Sequence, residues 1–312
     1  MDYKKKILIL GSSAVFLALL YILSLALDPQ RINARSDRFT WLPAVLREEA
    51  DRIEISRDGD KQELVFRNGF WFALVDSAEV PAKQGRVDDL FRILSTRGAF
   101  PRRGSSAANH AELGLDGSTR LLVRGGAGLP LLDLLVGKDD PSGRGVFLRR
   151  NGENEFRSGD RLIGSYVNGD RTSWYDLKLF EEKSLDQVQR VEVHFSGYTG
   201  SEDITYGDYI ITRSGENWIM GNTPLNREKT ETWIKGILEA QGEDALSADG
   251  EFDFNAAAVI RVELGDSSAL ELQVVQPGED GRSAAMAKGK SFLFLLSRWT
   301  LSRLIRDREY FW

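Results

Sequence analysis

Cysteine is absent from all 312 residues. Disulfides, thiolate nucleophiles, cysteine metal sites and a lipid anchor on cysteine are excluded with it. Histidine is nearly as scarce, with only His110 and His194. Neither has a second histidine at the spacing of a metal-binding pair. His194 alternates with Val193 and Phe195 on a predicted strand and reads as a surface or half-buried residue, while His110 falls in a loop, Ser105–Glu112. No Gly-x-Ser-x-Gly elbow offers a nucleophile to either. No run of alternating oxygen ligands closes on a glutamate as a calcium loop must. Gly125-Gly126-Ala127-Gly128 lacks the Gly-Lys-Ser/Thr of a phosphate loop and lies between two predicted strands, so it reads as a hairpin. ATP hydrolysis by this chain is not expected, and no metal or other cofactor is. A basic excess is missing too. The formal net charge of −6 argues against a nucleic-acid partner, which needs a positive stripe for phosphates.

Acidic pairs do occur, at Asp88-Asp89, Asp139-Asp140 and Glu181-Glu182. General acid–base chemistry needs two carboxylates facing one pocket with split pKa values, and adjacency does not supply that. Asp88-Asp89 reads as first-turn helix acids, and Asp139-Asp140-Pro141-Ser142-Gly143 as a turn. No catalytic residue is expected.

One long hydrophobic run is present. Ile7–Leu27 holds 21 residues without a charge, flanked by Lys4, Lys5 and Lys6 and closed by Asp28-Pro29. As a helix it would extend about 31 Å, close to a bilayer's hydrocarbon thickness. Ser24-Leu25-Ala26 resembles a cleavage site, but the run exceeds the usual signal-peptide core, which favours a retained anchor. The three lysines predict a cytoplasmic N-terminus and an extracytoplasmic, periplasmic body on the inner membrane, although Arg31, Arg35 and Arg38 follow the span.

Beyond the anchor the sequence repeats itself. Asp51-Arg52-Ile53-Glu54-Ile55 has a counterpart in Gln189-Arg190-Val191-Glu192-Val193, both short alternating strands. A hairpin ending on tryptophan follows in each, through Asn68-Gly69 to Trp71 and through Ser214-Gly215 to Trp218. The second copy is longer before this hairpin, with an insertion near Tyr198–Gly207. Pro81 and Pro224 then lead helices whose apolar faces are Val87, Leu90, Phe91 and Leu94, and Thr230, Trp233, Ile234 and Ile237. Asn226 is the expected cap of the second helix. Later helical patches, Leu162–Val167 and Trp299–Ile305, precede aromatic endings, Trp174-Tyr175 and Tyr310-Phe311-Trp312. The expected architecture is α+β: a cytoplasmic tail and anchor over 1–28, a juxtamembrane stalk over 29–50, a first repeat unit over 51–176, a linker over 177–188 and a second unit over 189–312. Each unit is expected to have about six mostly antiparallel strands with a covering helix.

The lysine-flanked span, the Arg52–Ile55 strand, the Gly69-Phe70-Trp71 hairpin, the Pro81–Leu94 helix and the Asp307–Phe311 ending form a recognisable pattern. With them the chain resembles family 4340 of the bacterial domains of unknown function over nearly all of its ectodomain. Members of that family are often encoded beside ABC-transporter subunits of the gliding-motility type. The resemblance implies a non-catalytic accessory role, with a transporter permease or ATPase as partner, and supplies no catalytic residues. The alternative is a module that binds envelope polymer or a small solute between the two units. Trp71, Trp218 and Trp233 read as core. Trp41, Trp174, Tyr175 and Trp312 fall at element ends and are the candidates for ligand or partner contact.

Overall fold

The computed structural model describes Leu17, Tyr21 and residues 41–42, 46–95, 100–117, 119–199, 206–248 and 254–312. The expected span Ile7–Leu27 lies outside the described residues except for Leu17 and Tyr21, both helical. Among the described residues no helix is long and apolar enough to cross a membrane.

In the first copy the strands are β1 (Ala50–Arg57), β2 (Asp60–Arg67), β3 (Phe70–Val75), β4 (Ala78–Pro81), β5 (Arg102–Gly104), β6 (Thr119–Gly125), β7 (Pro130–Asp139), β8 (Gly145–Arg150) and β9 (Phe156–Asp160). Helices α1 (Leu46–Glu49), α2 (Gln84–Leu94) and α3 (Arg161–Asn168) accompany them. The second copy holds β10 (Val188–Phe195), β11 (Tyr209–Ser214), β12 (Asn217–Met220), β13 (Thr223–Pro224), β14 (Asp244–Ser247), β15 (Ala256–Leu264), β16 (Ala269–Val275), β17 (Ser283–Ala287) and β18 (Phe292–Leu296). Its helices are α4 (Arg227–Leu238) and α5 (Arg298–Leu304).

The strand orders are β4-β3-β2-β1-β6-β7-β8-β9-β5 and β13-β12-β11-β10-β15-β16-β17-β18-β14. Raising every number of the first by nine gives the second, so the duplication holds at the level of topology. It extends to irregularities: the register slips between Ala50 and Arg52 where β1 meets β6, and between Val188 and Arg190 where β10 meets β15. The expected six or so strands per copy are corrected to nine among the described residues. The strands the sequence pattern missed include β4, β5, β13 and β14, which run only two to four residues. Alternation of polar and apolar residues cannot register over so few positions.

The helices sit where the apolar spacing put them. Val87, Leu90, Phe91 and Leu94 of α2 are buried, as are Thr230, Trp233, Ile234 and Ile237 of α4. The Asn226 side chain accepts from Lys229 N at 3.0 Å and caps α4. Helix α2 begins at Gln84, so Asp88 and Asp89 occupy its second turn, not its first. Asp88 takes Arg47 at 2.8 Å and Asp89 takes Arg92 at 2.9 Å.

After the last helix of each copy the chain makes the same closure. Asp170 accepts from Thr172 N and Asp307 from Glu309 N, each capping a short 3-10 turn that ends on an aromatic residue, Trp174 or Phe311. The Trp174 carbonyl then accepts from Lys83 N at 2.7 Å, and the Phe311 carbonyl from Asn226 N at 2.9 Å. In both copies the aromatic tail is thus fastened to the backbone between the proline and the body of the helix. Trp174 and Phe311 are both fully buried.

Contacts divide the described chain into two compact units. One ends at Phe66 and takes in Gly85–Gly169; the other comprises Arg67–Gln84 and Asp170–Trp312. The stretch expected as a linker is tied into the second unit: Leu179 N donates to Ala240 O at 3.0 Å and Gly242 N to Leu177 O at 2.9 Å, with Leu177, Leu179 and Phe180 buried.

The polar face of the first sheet carries paired charges. Arg124 meets Glu54 at 2.6 Å, Lys61 bridges Glu54 at 3.1 Å and Glu63 at 3.3 Å, and Arg52 meets Glu63 at 2.7 Å. Burial alone would raise the Glu54 pKa; hydrogen bonds from Arg124 and Lys61 outweigh it and hold the carboxyl low.

Asp140 opens the expected turn, its carbonyl accepting from Gly143 N at 2.9 Å, and its side chain is buried, 6% exposed. One carboxylate oxygen accepts from Ser142 Oγ at 2.5 Å and Ser142 N at 3.0 Å, and the other from Ser158 Oγ at 2.6 Å. The two serine hydroxyls lead in pulling its pKa from 3.8 down to about 2. A carboxyl whose folded pKa is depressed stabilises the fold above its unfolded value, and that stability is lost as pH falls through the folded value. Thermal melting of the native chain should therefore weaken steeply from about pH 4 towards pH 2. The Asp140→Asn variant should show a flatter acid limb. Parallel melting curves for the two proteins would contradict this.

Candidate functional site

The two copies differ most between the first two strands. In the first copy β1 and β2 are joined by Asp58-Gly59, both at positive φ, a two-residue turn. In the second, the chain leaves β10 at Phe195 and returns at Tyr209. The described ends of this insertion are fastened to the sheet. Asp208 accepts from Phe195 N at 2.7 Å with one oxygen and meets His194 Nδ1 at 2.5 Å with the other. Ser196 Oγ lies 3.3 Å from His194 Nε2. The Phe195 N–H bond is the main cause of a lowered Asp208 pKa, and His194 adds to it. Further along, the Gln276 side-chain amide pairs with the Thr199 backbone in both directions, accepting from N at 3.1 Å and donating to O at 2.8 Å.

Asp208, His194 and Ser196 have the bonding order of a proton relay, a juxtaposition the sequence reading did not anticipate because His194 and Asp208 stand 14 residues apart across the insertion. Their setting does not suit acyl transfer. The His194 and Asp208 side chains are 62% and 55% exposed. The N–H of Phe195 is spent on Asp208 and that of Ser196 on Ala257 O, so neither is left to hold an oxyanion. The trio clamps the neck of the insertion. His110 stands apart from this trio: its Nε2 lies 2.9 Å from Asn154 O and its ring meets Phe156 edge-on.

Beside the insertion lies a cleft of about 400 Å³. Tyr198 and Tyr206 form one wall, the turn Gly278–Gly281 another, and Arg298, Leu301 and Ser302 of α5 the third. Tyr198 packs against Phe195 and Tyr206, with centroids 6.1 and 5.3 Å apart, and burial pushes its pKa up to about 12. No family model matches the chain, and neither a curated protein nor a solved structure matches it.

None of the residues expected at a contact site lines this cleft. Trp41 is 7% exposed, set against Phe100 at 5.0 Å and beneath the Arg157 guanidinium at 5.3 Å. Trp174 and Tyr175 are buried, and Ala82 bridges to Tyr175. These three are packing residues, because the ends of their elements close over the core. Trp312 keeps 49% of its surface exposed. Trp71, Trp218 and Trp233 are buried as expected.

The tryptophan with the most open surface is Trp299 on α5, 66% exposed, with the Arg303 guanidinium 4.6 Å from its ring centre. Beside it is a hollow of about 280 Å³ bordered by Glu239, Gln241 and Thr300. The sequence offered a signal for it: on the 3.6-residue period, Leu301, Leu304 and Ile305 face the core and Trp299 falls off that face. Among the described residues no group of three or more histidines or carboxylates is placed to hold a metal ion.

Proposed function

We propose that this chain is a non-catalytic, membrane-tethered accessory protein of an ABC-type transporter complex, with its body on the extracytoplasmic side. The observation that carries the reading is the Trp299–Arg303 pair. It presents a large aromatic surface and a guanidinium together on a short helix whose other face is buried. Tryptophan and arginine are the side chains that most often dominate protein–protein binding energy. The tether rests on Ile7–Leu27 and the lysines before it. The choice of a transporter as partner rests on the resemblance given above.

The test is extraction of native membranes in mild detergent through a C-terminal tag. A permease or ATPase should co-purify in near-stoichiometric amount. Trp299→Asp should lower its recovery by about tenfold or more, as loss of an interface anchor does. A chain that purifies alone would sink the reading. The cleft favours a second reading, that the body also binds a small solute or an envelope polymer, with the site inside the second copy.

A further inference from the structure

We infer that the cleft of the second copy is a saccharide site, an inference that rests on the second of these readings. It sits where the otherwise matching copies diverge, at an insertion held by the His194–Asp208 clamp and the Gln276–Thr199 amide pair. Holding its described ends, up to Thr199 and from Tyr206, costs chain entropy that a two-residue turn avoids.

The groups lining the cleft define the ligand by what they leave unmet. Tyr198 is 94% buried, lines the cleft, and its hydroxyl has no hydrogen-bond partner among the described residues. The ring is buried while the hydroxyl reaches the cleft, and burial raises the phenol's pKa to about 12, so it is a protonated donor facing the cleft. Arg298 has no ion pair among the described residues, and its stem lies 3.3 Å from the position a Cβ on Gly281 would take. Glu279 is also without a partner among the described residues and supplies acceptors, whereas Asp280 is occupied by Arg282 at 2.6 Å. The half-buried ring of Tyr206 adds an apolar wall.

Among the described residues lining the cleft, one open cation stands beside one open anion. An anionic ligand would confront Glu279, and a purely apolar one would leave Arg298, Glu279 and the Tyr198 hydroxyl unpaired. An uncharged ligand with many hydroxyls and a C–H face satisfies all of them. Sugars answer that description: adjacent hydroxyls accept from Arg298 and Tyr198 and donate to Glu279, and the ring's C–H face lies on an aromatic wall. A volume of about 400 Å³ falls in the range of sites that enclose small ligands.

The test uses the full chain in nanodiscs free of glycolipid. Chitotetraose, cellotetraose and maltotetraose are presented in turn, and binding is read by saturation-transfer NMR with inorganic phosphate as the anionic control. At least one oligosaccharide should give saturable transfer. Arg298→Ala should weaken it by about tenfold and Tyr198→Phe by about threefold or more, with melting temperatures unchanged. Absence of transfer from all three sugars overturns the inference, as does transfer indifferent to Arg298→Ala and Glu279→Ala alike. Arg298-dependent phosphate binding without sugar binding also overturns it. Sugar binding without a co-purifying transporter would sink the partner proposal alone; the reverse would sink only the saccharide site.

Discussion

Phe311→Ala is expected to destabilise the second copy by about 3–5 kcal/mol, the range for emptying a buried aromatic site. The ring is fully buried, with centroids 4.9 Å from Trp233 and 5.5 Å from Tyr209. Its neighbours are held in turn by the backbone leading to it: Trp233 Nε1 donates to Leu304 O at 2.9 Å and Tyr209 OH to Arg306 O at 2.8 Å. Removing the ring leaves a cavity that none of these anchored groups can move to fill. The same change at Trp174, its counterpart, should cost a similar amount. Urea unfolding followed by tryptophan fluorescence reads both, and a loss below about 1 kcal/mol at either position would show that the closure carries little of the fold's stability.

Gly137→Ala should cost about 1–3 kcal/mol although it adds a single methyl group. A Cβ at Gly137 in β7 would run into the Leu113 carbonyl oxygen and crowd the Leu115 side chain at 3.0 Å. That carbonyl accepts from Lys138 N at 2.9 Å, and the Leu115 carbonyl accepts from Arg149 Nη2 at 2.8 Å. The covering loop that carries Leu113 and Leu115 is seated by these bonds, and Leu115 packs with Phe147 and Phe156 beneath it. Pushing the loop away breaks the seam and opens that cluster. Hydrogen exchange should show faster exchange at Lys138 in the variant; unchanged protection there would mean the loop adapts without lifting.

The duplication was readable because both copies keep the same punctuation. Pro81 and Pro224 precede helices with matching apolar faces, and Asn68-Gly69 and Ser214-Gly215 mark the hairpins before Trp71 and Trp218. Long elements declare their period; β13, Thr223–Pro224, has none to declare. The burial of Trp41, Trp174 and Tyr175 has one cause that the sequence does not display. An aromatic residue beside charged or turn residues looks terminal and hence exposed, yet only tertiary packing decides whether that end folds inward, as the bond from Lys83 N to Trp174 O makes it do. The burial of Asp140 within its turn is hidden for a related reason: Ser142 and Ser158 solvate it as water would, and Ser158 comes from a strand remote in sequence. The cleft was half visible. The insertion near Tyr198–Gly207 stands out in the alignment of the copies, but Gln276, Glu279 and Arg298 join it only through the sheet.

Three of the four outermost strands bear on how this chain can associate with others. β13 is two residues long and ends in proline, β4 ends in Pro81, and β5 is three residues carrying Arg102 and Arg103. A neighbouring chain that tried to extend these sheets would find few free N–H and C=O groups in line, interrupted by a ring without an N–H or guarded by charge. Such rims resist the edge-to-edge stitching that leads to fibrils and to indiscriminate strand exchange. Recognition at these rims must then be written in side chains, so a change of one exposed residue can redirect it without disturbing the scaffold.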